Sequence, residues 1–360
     1  MWWDGTVPAP PALRRPAAVA RLRALAGAPL VVAPMAGGPS TPDLVVAVAR
    51  AGAFGFLAGG YRTADDVVSD MAAVRRAGVE AFGVNLFVPG APTAEPERLS
   101  AYLDSLAAEA AALGATLGDA AWDDDDYPSK VEALLAAPPA MVSFTFGVPD
   151  VEVVRAFQDA GALVAVSVTT PEEAARALRV GPDALGLQGA EAGAHRGSLA
   201  NDDRVDADRS VRSLLASVGR RTSVPLIAAG GVGGPDDVVD LLARGAALVQ
   251  SGTAFLRCPE SGAHALAKDA LADASFTGTA ITRAFSGRRA RALVNDMVHV
   301  HQDAPAAYPE INNATRPLRA AAAAARDTGH MSLYAGTAYR RAEARPAAEV
   351  VERLVSGWRR

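Results

Sequence analysis

One histidine stands in a stretch nearly free of bulky side chains, LQGAEAGAHRGS at 187–198. An imidazole with an ordinary pKa of ~6.5 can accept a proton near neutral pH, or hold positive charge opposite an anion. Small neighbours let a ligand approach the backbone, so His195 reads as a catalytic residue and not as a structural tie. Arg196 beside it reads as a loop clamp, with Glu191 as its expected partner. Two further glycine-rich stretches, AAGGVGGPDD (228–237) and QSGTAF (250–255), can turn backbone N–H groups toward an anion at Gly230, Gly231, Ser251, Gly252 and Thr253. No Gly-Lys-Ser/Thr follows, which excludes a P-loop.

The stretch APMAGGPST (33–41) offers Ala33, Met35 and Gly37 as a platform of small or flat groups. Asn85 and Gln188 are amides that both donate and accept hydrogen bonds. An anion cradle, a glycine-lined platform and uncharged amides together suggest flavin mononucleotide (FMN).

These residues need a scaffold that gathers them. Eight short apolar runs recur along the chain: LVVAPM (30–35), FGFLAG (54–59), AFGVNL (81–86), MVSFTF (141–146), LVAVSV (163–168), DALGLQ (183–188), LIAAGG (226–231) and LVQSGT (248–253). Helical stretches separate them. TPDLVVAVARAG, TTPEEAARALRVG and GGPDDVVDLLARGA share one grammar: a cap or glycine, then Pro, acids in the first turn, and Gly after the last. Continuous apolar strands alternating with helices imply a parallel sheet buried on both faces. Eight such units predict an α/β fold, a closed (β/α)8 TIM barrel, whose active site lies at the C-terminal strand ends. Every residue singled out above falls at such an end.

Two stretches exceed simple crossovers. Residues 90–140 hold an Ala-rich helix, the acidic run Asp123 to Asp126, read as a solvated loop, and a short helix. The predicted organisation is an N-terminal arm (1–29), extended over its proline-rich start MWWDGTVPAPPALRRP, an FMN-binding barrel (30–262), a smaller, mostly helical domain over the barrel mouth (263–340), and a C-terminal helix returning to the barrel (341–360).

The 360 residues carry a net charge of -5, which disfavours nucleic acid, since phosphate binding needs a basic face. The single cysteine, Cys258, excludes an internal disulfide and a Cys-based zinc site. No apolar run approaches the ~20 residues of a membrane span, and the N-terminus lacks a signal-peptide pattern; a cytoplasmic location is expected. No carboxylate pair sits at strand ends, against a glycosidase. The two lysines, Lys130 and Lys268, also lie elsewhere, against Schiff-base chemistry. His299 and His301 in VHVH can share a strand face, but without a third ligand they make no metal site, and none is expected. His264 and His330 read as surface residues.

The segments APMAGGPST, GYRTADDVV, FGVNLFVP, VSFTFGVP, GLQGAEAGAHRG, AAGGVG, QSGTAFLRCPES, TRAFSGRRAR and PLRAAAA…SLYAG resemble, in order, the class I nitronate monooxygenases, formerly called 2-nitropropane dioxygenases. The resemblance spans roughly residues 30 to 355. It implies flavin-dependent oxidation of alkyl nitronates by O2 to a carbonyl compound and nitrite, without NAD(P)H. FMN would be held by Met35, Gln188, Gly193, Gly231, Ser251, Gly252 and Thr253, with Ala33, Gly37 and Asn85 nearby and Ser286 reaching the cofactor from a further motif. His195 would deprotonate neutral nitroalkanes or steady the anionic nitronate. One position departs from the family's Ala-Gly-Gly-His loop: its second glycine is Ala194, which takes positive φ less readily.

Phe146, Tyr308 and Tyr334 are the candidates for the substrate wall. The expected partners are a small nitronate or nitroalkane and O2, for a monomer or homodimer. The nearest alternative is an FMN-dependent NAD(P)H enoyl reductase of the related barrel group, with a similar loop. Another is a flavin-free barrel lyase or isomerase whose cradle holds a substrate phosphate.

Overall fold

A computed structural model describes residues 15–93, 95–201 and 208–358. Eleven strands follow in chain order among them: β1 (Leu30–Val32), β2 (Phe54–Ala58), β3 (Gly83–Phe87), β4 (Met141–Thr145), β5 (Leu163–Val168), β6 (Ala184–Gln188), β7 (Ala194–His195), β8 (Leu226–Ala229), β9 (Leu248–Ser251), β10 (Thr279–Thr282) and β11 (Ala290–Leu293). The eight expected runs close a parallel barrel in the order β1-β2-β3-β4-β5-β6-β8-β9, sealed by Leu30 of β1 against Val249 of β9. Its strands are buried almost throughout, as a sheet covered by helices requires.

The crossover helices start and stop as their sequences direct. The Thr41 hydroxyl accepts the N–H of Leu44 at 3.0 Å, Pro42 opens the helix Pro42–Arg50, and Gly52 leaves it at φ 86°. Thr170 caps the helix Pro171–Ala177 through the N–H of Glu173 at 3.1 Å.

Residues 1–14 of the expected arm lie outside the described residues. From Arg15 to Arg23 the arm is a helix. Leu22 packs on Val31, Phe54, Met141 and Leu248 near the start of the strands, and Arg23 Nε donates to the Ala247 carbonyl at 3.1 Å. This helix plugs the end of the barrel opposite the mouth.

The helix following β9 is not its neighbour in sequence. It is Ala347–Val355, which buries Val350, Val351 and Leu354 against Leu44, Val48, Val238 and Leu241. Residues 252–346 are therefore an insertion in the eighth crossover, emerging where the barrel opens. For 263–340 the expectation was a mostly helical domain, and the insertion combines helices with strands. Besides the helices Ala265–Ala270, Asp296–Val300 and Glu310–Ala324, it holds the antiparallel hairpin β10–β11, to which β7 of the histidine loop adds as a third strand. VHVH lies in and just after Asp296–Val300, so His299 and His301 share no strand face. The helix Pro96–Ala112 joins the same layer, with Leu99, Tyr102 and Leu106 against Phe285, Ile311 and Leu318.

No helix among the described residues is long and apolar enough to cross a membrane.

Candidate active site

A cavity of about 600 Å³ opens at the C-terminal strand ends, roofed by the insertion; that is ample for a cofactor plus a small substrate. Every cofactor residue expected from the sequence lines it except Ser286, and so do His195, Phe146 and Tyr334; Tyr308 is not in the lining but packs on Phe146 and His195.

Its anion-binding corner comes from two loops. Gly230 and Gly231 have φ of 128° and 71°, and the Ser251 hydroxyl, donating to the Val232 carbonyl at 2.9 Å, ties the loop after β8 to the end of β9. The backbone N–H groups of Gly231, Val232 and Gly252 donate to no acceptor within the described residues, so they are available to a phosphate. The nearby helix N-terminus is already taken. Asp237 Oδ2 accepts the N–H groups of Gly233 and Gly234, each at 3.0 Å. The cradle is thus narrower than AAGGVGGPDD implied. A Cβ at Gly252 would sit 3.3 Å from Ala33 Cβ and 3.4 Å from the Met35 thioether Sδ, narrowing the platform.

Gly193 is required for a different reason. A Cβ there would lie 2.5 Å from the Ala335 carbonyl carbon and the Gly336 nitrogen. Residues 335–337 form a strap across the corner: Gly336 N–H donates to Thr253 Oγ1 at 3.0 Å and Thr337 N–H to the Glu191 carbonyl at 2.9 Å. The Glu191 carboxylate turns away and accepts the N–H of Val211 at 3.1 Å instead of pairing with Arg196.

The two amides differ in what they leave free. Gln188 Oε1 accepts from Arg196 Nη1 at 3.0 Å and from Gly197 N at 2.7 Å, while its Nε2 donates to the His195 carbonyl at 2.9 Å. It mainly braces its own loop, with buried Arg196 as the expected clamp, also donating to the Gly189 carbonyl at 2.6 Å. Asn85 Nδ2 donates to Ser143 Oγ and Thr145 Oγ1, both at 2.9 Å. That orients Asn85 Oδ1 as an acceptor for a ligand N–H.

His195 pairs with Ala290 of β11, so the hairpin of the insertion fixes its backbone. Its Nε2 lies 2.8 Å from Ser286 Oγ, and that hydroxyl donates to the Arg288 carbonyl at 3.3 Å and accepts the Arg288 N–H at 3.4 Å. Ser286 thus ties the imidazole down through Nε2, while Nδ1 has no hydrogen-bond partner among the described residues. Ser286, expected at the cofactor, is instead buried against the histidine. The imidazole also meets the rings of Phe146, Tyr308 and Tyr334 at 5.8, 5.7 and 5.2 Å. Burial, then Arg288 and Arg319, push its pKa down to about 3. It is a neutral imidazole in a positively charged setting.

Arg288, Arg319 and Tyr61 carried no expectation. The Arg288 guanidinium lies 3.9 Å from the centre of the Phe146 ring, and burial lowers its pKa to about 10. Arg319 lines the cavity, anchored to Thr315 Oγ1 at 3.2 Å and to the Asn312 carbonyl at 2.9 Å. Both lie in stretches quoted above, TRAFSGRRAR and PLRAAAA, but nothing local separates them from the many other arginines. Three non-glycine residues on the cavity wall are left-handed: Tyr61 (φ 65°), Phe146 (75°) and Ala194 (62°). Ala194 therefore keeps the glycine-like backbone at a cost of roughly 1–2 kcal/mol. Such strain gathers where surrounding structure enforces a functional geometry.

Elsewhere the chemistry is inert. Burial pushes the Cys258 thiol up to about 12. Lys268 donates to the Cys258 and Ser261 carbonyls, and buried Lys130 pairs with Asp125. His301 is bound to Glu109 at 2.8 Å, and His330 is not free on the surface but joins Glu109 to Asp327. No group of three metal-ligating side chains occurs among the described residues.

A sequence model of the family described as nitronate monooxygenase matches residues 20–357. The chain is 38% identical over 338 residues to a nitronate monooxygenase of Pseudomonas aeruginosa, covering 91% of this chain and 95% of that one. It is 34% identical to a nitronate monooxygenase of Paraburkholderia phytofirmans, covering 91% of each. Among solved structures it resembles a nitroalkane oxidase from Streptomyces ansochromogenes, with TM-score 0.91, 44% identity, and coverage of 93% and 97%.

Proposed function

The chain belongs to the nitronate monooxygenase family of oxidoreductases, and from that premise we propose that it oxidises alkyl nitronates with O2 to a carbonyl compound and nitrite, using FMN and no NAD(P)H. The observation that carries this reading is a neutral histidine in a cavity whose wall presents Arg319, with the buried Arg288 stacked on the wall residue Phe146. Such a setting favours an anionic substrate over an uncharged one.

The free N–H groups of Gly231, Val232 and Gly252 would hold the cofactor phosphate, and Asn85 Oδ1 would accept an N–H of the ring. Bound there, FMN supplies the electron acceptor that O2 regenerates. Arg319 and Arg288 draw the nitronate toward His195. The arginines, rather than an imidazolium, carry the positive charge, which favours the proton-accepting or positioning form of the histidine over the cationic one. His195 Nδ1 accepts a proton when a neutral nitroalkane arrives, and Ser286 holds the ring through Nε2. Because an imidazole with so low a pKa is a weak base, preformed nitronates are the better substrates.

With a preformed alkyl nitronate, air and no nicotinamide, the purified flavin-loaded protein is expected to consume O2 and release nitrite and carbonyl compound in equal amounts. Nitrite release that needs NADPH or NADH, or none at all, would refute the reading.

A further inference from the structure

The acidic run, expected as a solvated loop, grips two distant segments. Asp126 Oδ2 accepts the N–H of Ala64 at 2.9 Å, and Asp123 Oδ2 accepts from Asn313 Nδ2, on the helix Glu310–Ala324, at 2.7 Å. Asp125 Oδ1 accepts the N–H of Tyr61 at 2.7 Å, and its Oδ2 meets Lys130 Nζ at 2.8 Å. Lys130 is only 1% exposed and also donates to the Asp125 carbonyl. A lysine is almost never buried without a partner, so this ion pair pins Asp125 firmly.

What Asp125 holds is a piece of the cavity wall. Tyr61 is left-handed at φ 65°, a conformation a tyrosine keeps only under constraint. Its ring packs edge-on against Phe87 at 5.5 Å, and Phe87 in turn packs on Phe146 at 4.4 Å. Its hydroxyl receives a hydrogen bond from the Tyr308 hydroxyl at 3.1 Å, and the Tyr308 ring touches His195. Gly60 is part of the arrangement, since a Cβ there would lie 2.2 Å from the Phe87 ring.

We propose that Asp125, locked by Lys130, is a positioning residue for the substrate cavity: by taking the N–H of Tyr61 it holds that ring against Phe87 and Tyr308, and so limits the size of nitronate that reaches His195. The assignment rests on the functional reading above. Asp125 touches neither cofactor nor substrate and acts through Tyr61 alone.

The test uses the full-length, flavin-loaded protein in three forms besides wild type. Asp125→Gly with Lys130→Met removes the acceptor and the buried charge together, and glycine suits the φ of 56° at position 125. Asp125→Asn with Lys130→Met removes the charges but keeps an acceptor for Tyr61. Tyr61→Gly opens the wall directly. The readout is the ratio of kcat/KM for cyclohexyl nitronate to that for ethyl nitronate. The same ratio is read as Kd for nitrocyclohexane and nitroethane from tyrosine fluorescence quenching, which requires no turnover. The glycine double variant and Tyr61→Gly are expected to raise the kcat/KM ratio at least tenfold, mainly through KM, and to lower the Kd ratio by a similar factor, while the asparagine variant stays within twofold of wild type in both. A change in melting temperature common to both double variants leaves this contrast intact. Ratios unmoved in the glycine double variant, or equally moved in the asparagine one, overturn the proposal. Absence of turnover in wild type refutes the functional reading instead, and the Kd ratios still decide the role of Asp125.

Discussion

His195→Asn is expected to leave flavin content unchanged and to lower kcat/KM for neutral nitroalkanes by about 100-fold or more, the usual contribution of a positioned general base. Turnover of the preformed nitronate should fall by less than about tenfold, because that substrate needs no proton removed. Asparagine can fill much of the volume among Phe146, Tyr308 and Tyr334 and can still meet Ser286, so the loss would report chemistry more than packing. The pH profile carries a further sign. In the folded protein the imidazole pKa is lowered to about 3, against ~6.5 in the unfolded chain. Wild-type turnover of a preformed nitronate should therefore show no inflection near pH ~6.5. By linkage the unfolded chain binds the extra proton between these values, so His195 makes stability fall as pH drops from ~6.5 toward about 3. The Asn variant should lose that part of the acid sensitivity. Steady-state rates on both substrate forms, with thermal melts across the same pH range, check all of this. Equal rates of wild type and variant on neutral nitroalkane would remove His195 from the mechanism.

Gly231→Glu is expected to abolish flavin binding. At φ 71° the position already disfavours any side chain, and a Cβ would lie 3.2 Å from Glu191 Cβ. A carboxylate about 4 Å from a bound phosphate adds a repulsion on the order of 4 kcal/mol at the effective dielectric of a protein surface, roughly a thousandfold in affinity. The variant should purify colourless and inactive, yet melt close to wild type stripped of flavin. Absorbance near the flavin bands after dialysis against FMN reads the result, and full flavin content would displace the phosphate from this corner.

The barrel was legible because its parallel strands, buried on both faces, are continuous apolar runs, each separated by helices with their own start and stop residues. LIAAGG and LVQSGT also carried their chemistry at their ends, so Gly231, Ser251 and Gly252 could be placed with the strands. The departure at Ala194 was legible as well: the chain keeps a glycine-like φ of 62° there without glycine. The second, three-stranded sheet was not. TAIT and ARAL are four residues long, and the strand completing them, Ala194–His195, comes from a loop far away in sequence. Partner choice for side chains was hidden for the same reason. Gln188 faces the cavity as expected, but its amide is engaged by Arg196 and Gly197, and Ser286 reaches His195. Read locally, DDDD is a solvated run; its binding to Tyr61, Ala64 and Asn313 exists only once the insertion and barrel come together.

The central claim is that a nitronate, and not a nicotinamide, delivers electrons in this cavity. The most direct measurement is the anaerobic absorption spectrum of the flavin-loaded protein, mixed separately with an alkyl nitronate and with NADPH or NADH. Bleaching of the flavin bands by the nitronate alone is the expected result. Bleaching by the nicotinamide alone would contradict it and make this barrel a reductase.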